Sequence, residues 1–128
     1  MSQRCVLVID DEYRLREVVR MTLEIAMGWR TLGAASGPAG LELARSQHPD
    51  AILLDLMMPG MDGFTTLRHL QADATTATIP VVLLTAKDSV SYGRDLAGTQ
   101  VAACIPKPFN ALGLAQQIAD RLGWEQGS

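Results

Sequence analysis

The sequence is poor in cysteine and contains no long hydrophobic run. Its two cysteines, Cys5 and Cys104, lack the spacing of metal ligands. The first apolar run, Cys5 to Ile9, is shorter than the ~7–15 residues of a signal peptide, and no run approaches the ~20 residues of a membrane span. Basic residues number 11 against 14 acidic ones, so the net charge of −3 provides no basic surface for nucleic acid. We therefore expect a cytoplasmic chain that binds neither a membrane nor, through this domain, a nucleic acid.

The length and composition are those of one globular domain. The chain has 128 residues, of which 48% are hydrophobic and 20% are charged. Single domains commonly have ~100–150 residues. We expect a single domain over residues 1–128, with a core of about 4–122 and a C-terminal tail of 123–128. A sensor or output domain is not expected beside it in this chain.

Short apolar runs alternate with longer amphipathic segments. Runs that are apolar throughout and rich in Val and Ile are typical of strands buried on both faces. Four clear runs and a weaker one, named last, are Cys5–Ile9, Ala51–Leu54, Val81–Leu84, Val101–Ile105 and Thr31–Ala35. Strands in strict alternation with helices indicate an α/β fold, here a doubly wound five-stranded parallel sheet with helices on both faces.

The segments between the runs have helical periodicity. In the first helix, the positions expected to face the core are Leu15, Val18, Val19, Thr22, Leu23 and Ala26. The charged positions expected to face solvent are Arg14, Arg16, Glu17, Arg20 and Glu24. Pro38 is well placed in the first turn of a second helix, and a third helix is predicted over about 64–72. A weak fourth helix is predicted over 89–97, and the last one begins near Asn110 and stops at Gly123.

Polar residues follow four of the predicted strands. In strand order they are Asp10 and Asp11, Asp55, Thr85 and Lys107. We expect them to converge, because ligands of open α/β sheets bind at the carboxyl ends of the strands. Clustered carboxylates repel one another unless a cation lies among them, and hard oxygen ligands suit Mg²⁺. A lysine and a hydroxyl can bind phosphoryl oxygens, and a carboxylate can be the nucleophile of phosphoryl transfer.

Each of these residues has an ordinary structural explanation when it is taken alone. An Asp after a strand is usually a turn former or a helix cap, and Asp11 could simply favour the start of the first helix. Lys107 alone could be a solvated surface charge. The whole set favours a site for phosphoryl transfer, because the structural explanation has to account for each residue separately.

Four segments resemble the motifs of the response-regulator receiver family, and they are Val6–Glu12, Leu53–Gly63, Leu83–Ala86 and Pro106–Phe109. The resemblance extends from about Arg4 to Leu122. It implies a phosphoreceiver of a two-component signalling system, with a flavodoxin-like or CheY-like three-layer fold and the strand order 2-1-3-4-5. In that order two strands lie between Cys5 and Cys104, so we expect no disulfide between them.

The resemblance also implies a role for each residue at the strand ends. Asp55 would accept a phosphoryl group from the phosphohistidine of a histidine kinase or a phosphotransfer protein. Lys107 would pair with that group, and Thr85 would move to bind it. The implied ligands of Mg²⁺ are Asp10, Asp11, Asp55 and the backbone carbonyl of Met57. With these parts the domain would catalyse its own phosphorylation and dephosphorylation.

Cys104 departs from the pattern of the family. Receivers usually carry Tyr or Phe three positions before the lysine, and the aromatic ring swings inward as the threonine moves. The simplest interpretation of Cys104 is a small, buried apolar residue. Without the ring we expect phosphorylation to change the face of the fourth helix, fifth strand and fifth helix only weakly.

Two functions from different classes remain open. The first is a phosphoreceiver that binds an unknown downstream protein and is a monomer or a weak homodimer. The second is a phosphorylation-independent protein-interaction module, which Cys104 favours and the intact strand-end residues disfavour. A flavodoxin-like or dinucleotide-binding enzyme would need a Gly-rich loop after the first strand, where residues 10–13 are Asp-Asp-Glu-Tyr instead.

Overall fold

The structure is a computed structural model that describes residues 3–56, 63–85, 100–106 and 110–124. The strands are β1 (Cys5–Ile9), β2 (Arg30–Ala34), β3 (Ala51–Asp55), β4 (Val81–Thr85) and β5 (Val101–Pro106). The helices in these ranges are α1 (Tyr13–Met27), α2 (Gly37–Gln47), α3 (Gly63–Ala72) and α4 (Ala111–Leu122). None of these four helices is both long enough and apolar enough to cross a membrane.

The five strands lie parallel in one sheet, in the order β2-β1-β3-β4-β5. This topology confirms the predicted fold class and strand order, and every predicted strand matches an observed one to within a residue at either end. The chain crosses over after β2, so that β3 lies beside β1 with Leu54 opposite Ile9. As a result β1 and β3 occupy the interior of the sheet, and the residues that follow them meet at its carboxyl edge.

Two hydrophobic clusters, one on each face of the sheet, form the core. Leu7 and Ile9 of β1 point into one cluster and Val6 and Val8 into the other, as the two-residue period of a strand requires. Side chains of α2 and α3 cover the first face, whereas α1 and α4 cover the second. These four β1 side chains have 0% exposure, and full burial of such a side chain stabilises the fold by roughly 1.5–3 kcal/mol. The domain is therefore the predicted three-layer sandwich.

Capping residues determine where α2 and α4 begin. The Ser36 hydroxyl accepts a hydrogen bond from the backbone N–H of Ala39 at 3.3 Å, and the Asn110 side chain accepts one from Gly113 at 3.0 Å. Gly123 ends α4 in the left-handed region with φ 69°, a conformation that costs glycine little. The predicted start and stop of the last helix are confirmed.

The core-facing side of α1 differs from the prediction. Val19 and Leu23 are buried as expected, but Val18 and Ala26 are exposed, so their assignment to the core is wrong. The prediction that Arg16 faces solvent is also wrong, because its side chain is only 13% exposed. The periodicity ranked positions by hydrophobicity, whereas the long stem of an arginine can also cover a sheet while its charged head finds a polar partner.

The two cysteines are free thiols, and β3 and β4 lie between the strands that carry them. Burial raises the pKa of both the Cys5 and the Cys104 thiol.

The fourth helix predicted from the sequence, over 89–97, lies outside the described residues.

Candidate functional site

The turn after β1 holds Asp10 through its backbone and its side chain. The N–H of Asp10 donates to the carbonyl of Ala34, the last residue of β2, at 3.0 Å. Its Oδ1 accepts a hydrogen bond from the N–H of Glu12 at 2.9 Å, an arrangement that Asp side chains favour in turns. Asp10 is 1% exposed. The chain therefore leaves the sheet with this carboxylate already oriented at the sheet edge.

Asp55 occupies the equivalent place on the neighbouring strand. It is the last residue of β3 and is 2% exposed. Because Leu54 pairs with the last residue of β1, Asp10 and Asp55 follow at the next position of two adjacent strands. The N–H of Leu56 donates to the carbonyl of Leu84 at 3.0 Å, which ties the chain after Asp55 to β4.

Asp11 completes a group of three carboxylates. Asp10, Asp11 and Asp55 each offer a carboxylate oxygen, and these oxygens lie within 4.8 Å of one another. At such a separation two like charges repel by roughly 3–4 kcal/mol if the effective dielectric constant is about 20. Three acidic groups at this spacing, two of them buried, could together hold a cation.

The donor set fits Mg²⁺. Carboxylate oxygens are the hard ligands that this ion prefers, and it usually binds proteins through few carboxylates while keeping waters or taking phosphate oxygens. Asp11 is exposed, in contrast to its two partners, so the group opens to solvent on one side. An ion held there could contact a phosphoryl group that arrives from outside.

Gly63, the first residue of α3, packs directly against the backbone around Asp55. Its N–H donates to the carbonyl of Leu56 at 3.2 Å. A Cβ at this position would lie 2.6 Å from the Asp55 carbonyl oxygen and 2.5 Å from the Leu56 Cα. Only glycine permits this approach. The sequence motif contains Gly63, but the motif alone does not reveal what the glycine touches.

Arg16 is a second residue near the site that sequence reasoning missed. Its Nη1 donates to the backbone carbonyl of Asp10 at 2.9 Å. The first helix therefore reaches back to the turn that carries two of the three carboxylates. Gly33 in β2 was the signal in the sequence, since a strand glycine often marks a close approach by another group.

The structure also places part of the remaining predicted site. Thr85 ends β4, one position beyond the residue that pairs with Asp55, and its backbone partner on β5 is Pro106. Met57 and Lys107 lie outside the described residues. All three predicted carboxylates are therefore brought together, and the strand that ends in Thr85 adjoins the strand of Asp55.

Cys104 is half-buried in the middle of β5. It lies opposite Leu83 of β4 and packs against the hydrophobic cluster on the α2 and α3 side of the sheet. A thiol is much smaller than an aromatic ring, so this position contributes less side-chain volume than the tyrosine or phenylalanine that the family pattern predicts.

Comparisons with known proteins agree with this fold and acidic edge. The family described as the response regulator receiver domain matches residues 6–119. The chain belongs to this receiver family. Receiver domains interact with histidine kinases or phosphotransfer proteins and typically bind Mg²⁺ at an acidic site, and the group of Asp10, Asp11 and Asp55 is the acidic cluster of this receiver.

Individual receiver proteins show the extent of the similarity. The response regulator PleD of Caulobacter vibrioides is 47% identical over 89 residues, which are 69% of this chain and 19% of PleD. PilH of Pseudomonas aeruginosa is 39% identical over 84 residues, or 65% of this chain and 68% of PilH. The crystal structure of the chemotaxis protein CheY4 from Vibrio cholerae has a TM-score of 0.85 at 27% identity, covering 93% of this chain and 98% of CheY4.

Many similar receiver proteins are considerably longer than the matched region. The chain spans 19% of PleD, 44% of the response regulator MprA of Mycolicibacterium vanbaalenii and 33% of the transcriptional regulator RpaA of Synechocystis. The similarity therefore concerns the receiver domain that these proteins share.

Proposed function

We propose that Asp55 is the phosphoacceptor of this receiver. The observation that carries the proposal is the position of Asp55 at the end of an interior strand, where its carboxylate joins those of Asp10 and Asp11 within 4.8 Å. The donor would be the phosphohistidine of a histidine kinase or a phosphotransfer protein. Asp55 is the central member of the proposed site because it serves both as nucleophile and as cation ligand.

The proposed reaction is a balanced transfer of one phosphoryl group. A carboxylate oxygen of Asp55 forms a bond to phosphorus, and the phosphorus–nitrogen bond of the phosphohistidine breaks. The electron pair of that bond goes to the imidazole nitrogen, which takes up a proton. Positioning and charge neutralisation provide most of the catalysis in phosphoryl transfer. Hydrolysis of the aspartyl-phosphate by water would return the domain to its starting state.

We assign the Mg²⁺ ligands to Asp10, Asp11, Asp55 and the backbone carbonyl of Met57. The spacing and the hard oxygen donors of the three carboxylates support this assignment. Mg²⁺ would supply positive charge to the phosphoryl oxygens. Asp10 and Asp11 would orient the ion, and their backbone turn is anchored to β2 by the Asp10 N–H.

We propose that Thr85 and Lys107 bind the incoming phosphoryl group. Thr85 ends the strand next to Asp55, and Lys107 directly follows the last residue of β5 in the sequence. A hydroxyl donates a hydrogen bond to a phosphoryl oxygen, and a lysine pairs with another as a compact charge. In this proposal Thr85 also reports the presence of the phosphoryl group.

The output of the domain would be the binding of a downstream protein. The binding face would consist of the helix predicted over 89–97, strand β5 and the last helix, α4. We propose a single receiver domain over residues 1–128 that works in the cytoplasm as a monomer or a weak homodimer. The common packing of α1 to α4 on one sheet supports a single folding unit. The chain's net charge of −3 and lack of a basic excess support a protein partner rather than nucleic acid.

A second candidate function is a phosphorylation-independent interaction module on the same scaffold. The half-buried Cys104 favours this candidate, because no aromatic ring at that position can report on the site. The three clustered carboxylates favour the phosphoreceiver, since an interaction module would not need them. We therefore give preference to the phosphoreceiver.

Incubation with acetyl phosphate and Mg²⁺, followed by intact-mass measurement, tests the proposal. We expect the mass to increase by one phosphoryl group in the wild type and in Asp120→Asn, which changes an exposed aspartate of α4. We expect no increase in Asp55→Asn or when EDTA replaces Mg²⁺. An unmodified wild type, or an Asp55→Asn variant that gains the same mass, would contradict the assignment and favour the interaction module.

A further inference from the structure

We propose that Arg16 is a positioning residue for the cation site, a role that rests on the proposed function of the acidic cluster. Its Nη1 donates to the carbonyl oxygen of Asp10 at 2.9 Å, across the first turn of α1. Other atoms of Asp10 are held as well, because its N–H bonds to Ala34 and its Oδ1 accepts from Glu12. The Arg16 guanidinium adds a side-chain contact to the backbone between β1 and Asp11.

Gly33 of β2 makes room for the arginine side chain. A Cβ on Gly33 would lie 3.3 Å from the Cδ of Arg16 and 3.0 Å from the Cδ of Arg20. Such distances are tighter than ordinary carbon contacts of about 3.5–4.0 Å. The stem of Arg16 therefore runs close over the strand backbone, which explains why only 13% of the side chain is exposed.

Neighbouring groups orient the guanidinium over the turn. The Arg16 guanidinium lies 5.3 Å from the centroid of the Tyr13 ring, within the range of a cation–π interaction. Its Nε lies 4.0 Å from a carboxylate oxygen of Glu17. With its stem on Gly33 and its head between these groups, Arg16 is held in place by contacts that do not involve the three carboxylates of the site. A preordered donor spends little conformational freedom when the site is occupied.

Charge alone and positioning predict opposite results for the loss of Arg16. A guanidinium beside a cation site repels the ion, so removal of its charge should strengthen Mg²⁺ binding if electrostatics dominated. If Arg16 positions Asp10 and Asp11, its removal should weaken binding despite the loss of repulsion. Loss of a residue that orients metal ligands typically lowers metal affinity about 10- to 100-fold. The sign of the change therefore separates the two effects.

The test is a calorimetric titration of the unphosphorylated full chain with Mg²⁺. We expect Arg16→Ala to raise the dissociation constant about tenfold, the lower end of the range for such residues. Arg16→Lys keeps the stem and the charge and should recover part of the affinity. Arg20→Ala is the matched control, because Arg20 shares the charge and the Gly33 contact but bonds to Thr31 and Glu17 instead of Asp10. Its dissociation constant should stay within twofold of the wild-type value.

Further variants and a second readout keep the test decisive. Gly33→Val leaves Arg16 in place in the sequence but blocks the path of its stem, so it should also weaken Mg²⁺ binding. This variant and Arg16→Lys carry the test if Arg16→Ala does not fold. Amide hydrogen exchange without Mg²⁺ should be faster at Glu12 in Arg16→Ala than in Arg20→Ala, because Glu12 donates to the Asp10 carboxylate.

Two results would overturn the inference in different ways. Unchanged or tighter Mg²⁺ binding by Arg16→Ala, with or without a lower melting temperature, would show that Arg16 does not position the cation ligands. The same conclusion would follow from unchanged binding by both Gly33→Val and Arg16→Lys if Arg16→Ala is unfolded. A wild type that binds no Mg²⁺ would instead remove the proposed cation site itself, and the positioning role with it.

Discussion

The glycine at the start of α3 allows a sharp test of how closely the site is packed. In Gly63→Ala the new Cβ would lie 2.5 Å from the Leu56 Cα, 2.6 Å from the Asp55 carbonyl oxygen and 2.8 Å from a methyl carbon of Leu56. Two of these three atoms belong to the backbone, so rotation of a side chain cannot relieve the overlap. Either the start of α3 or the end of β3 has to move.

The magnitude follows from two opposing contributions. Carbon atoms make favourable contacts at about 3.5–4.0 Å, so a displacement of about 1 Å is required. Overpacking of this kind typically costs about 1–3 kcal/mol, whereas replacing Gly by Ala inside a helix gains up to ~1 kcal/mol. Gly63 is the first residue of α3, where the helix gains less from alanine. We expect the free energy of unfolding to fall by about 1–2 kcal/mol in Gly63→Ala.

Gly113 in α4 is a matched control for the same substitution. The nearest atoms to a Cβ at Gly113 are those of the Asn110 side chain at 3.8 and 3.9 Å, which is ordinary van der Waals contact. Gly113→Ala keeps the N–H that bonds to the Asn110 cap. We therefore expect this variant to be more stable than the wild type by about 0.5–1 kcal/mol.

Urea denaturation of both variants measures the difference, and phosphorylation by acetyl phosphate measures its effect on the site. Gly63→Ala should also accept the phosphoryl group more slowly, because a misplacement of about 1 Å can cost roughly 10²-fold in rate. Gly113→Ala should react like the wild type. If Gly63→Ala proved as stable and as reactive as Gly113→Ala, the close packing of α3 on the Asp55 backbone would be refuted.

Two further predictions concern the turn after α3 and the strand β5. Hydrogen bonds from the side chain and backbone of Thr75, followed by that from Arg45, lower the pKa of Asp73 from 3.8 to about 2. The stabilisation that accompanies this lowered pKa should be complete above pH 3.8 and should be lost as the pH falls through about 2. The variant Thr75→Ala should raise the pKa of Asp73, which NMR titration measures. At β5, Cys104→Tyr should increase the change in amide exchange over 89–97 that beryllofluoride causes, and an equal change in the wild type would contradict a muted response.

The strands could be predicted from the sequence because each is a nearly uninterrupted apolar run. The residues of β1 have little or no exposure on either face of the sheet, so every position of the strand is apolar. The start of α4 was equally predictable, because Asn110 accepts a hydrogen bond from a backbone N–H that has no partner within the helix. These features depend on neighbours in the sequence, and so they need no knowledge of the tertiary structure.

The face of α1 could not be predicted in the same way. Hydrophobic spacing placed Val18 in the core and Arg16 in solvent, yet Val18 is 51% exposed and Arg16 reaches the Asp10 carbonyl. The position of Arg16 depends on the open space over Gly33, a residue of the next strand. The periodicity of α1 contains no information about the space over Gly33 in β2. The two wrong assignments therefore come from tertiary packing rather than from helix propensity.

The candidate site depends on the strand order more than on any local motif. Asp10 and Asp55 come together because β3 pairs with β1, while β2, which lies between them in the sequence, pairs with the other side of β1. If the strands followed one another in sequence order, β2 would separate the two carboxylates by an additional strand spacing of about 4.8 Å. The crossover instead leaves β2 free to bind the Asp10 N–H through Ala34 and to support Arg16 over Gly33. The same topology thus brings the carboxylate oxygens of Asp10 and Asp55 within 4.8 Å of each other. It also places β2 on the other side of β1, where β2 supports Asp10.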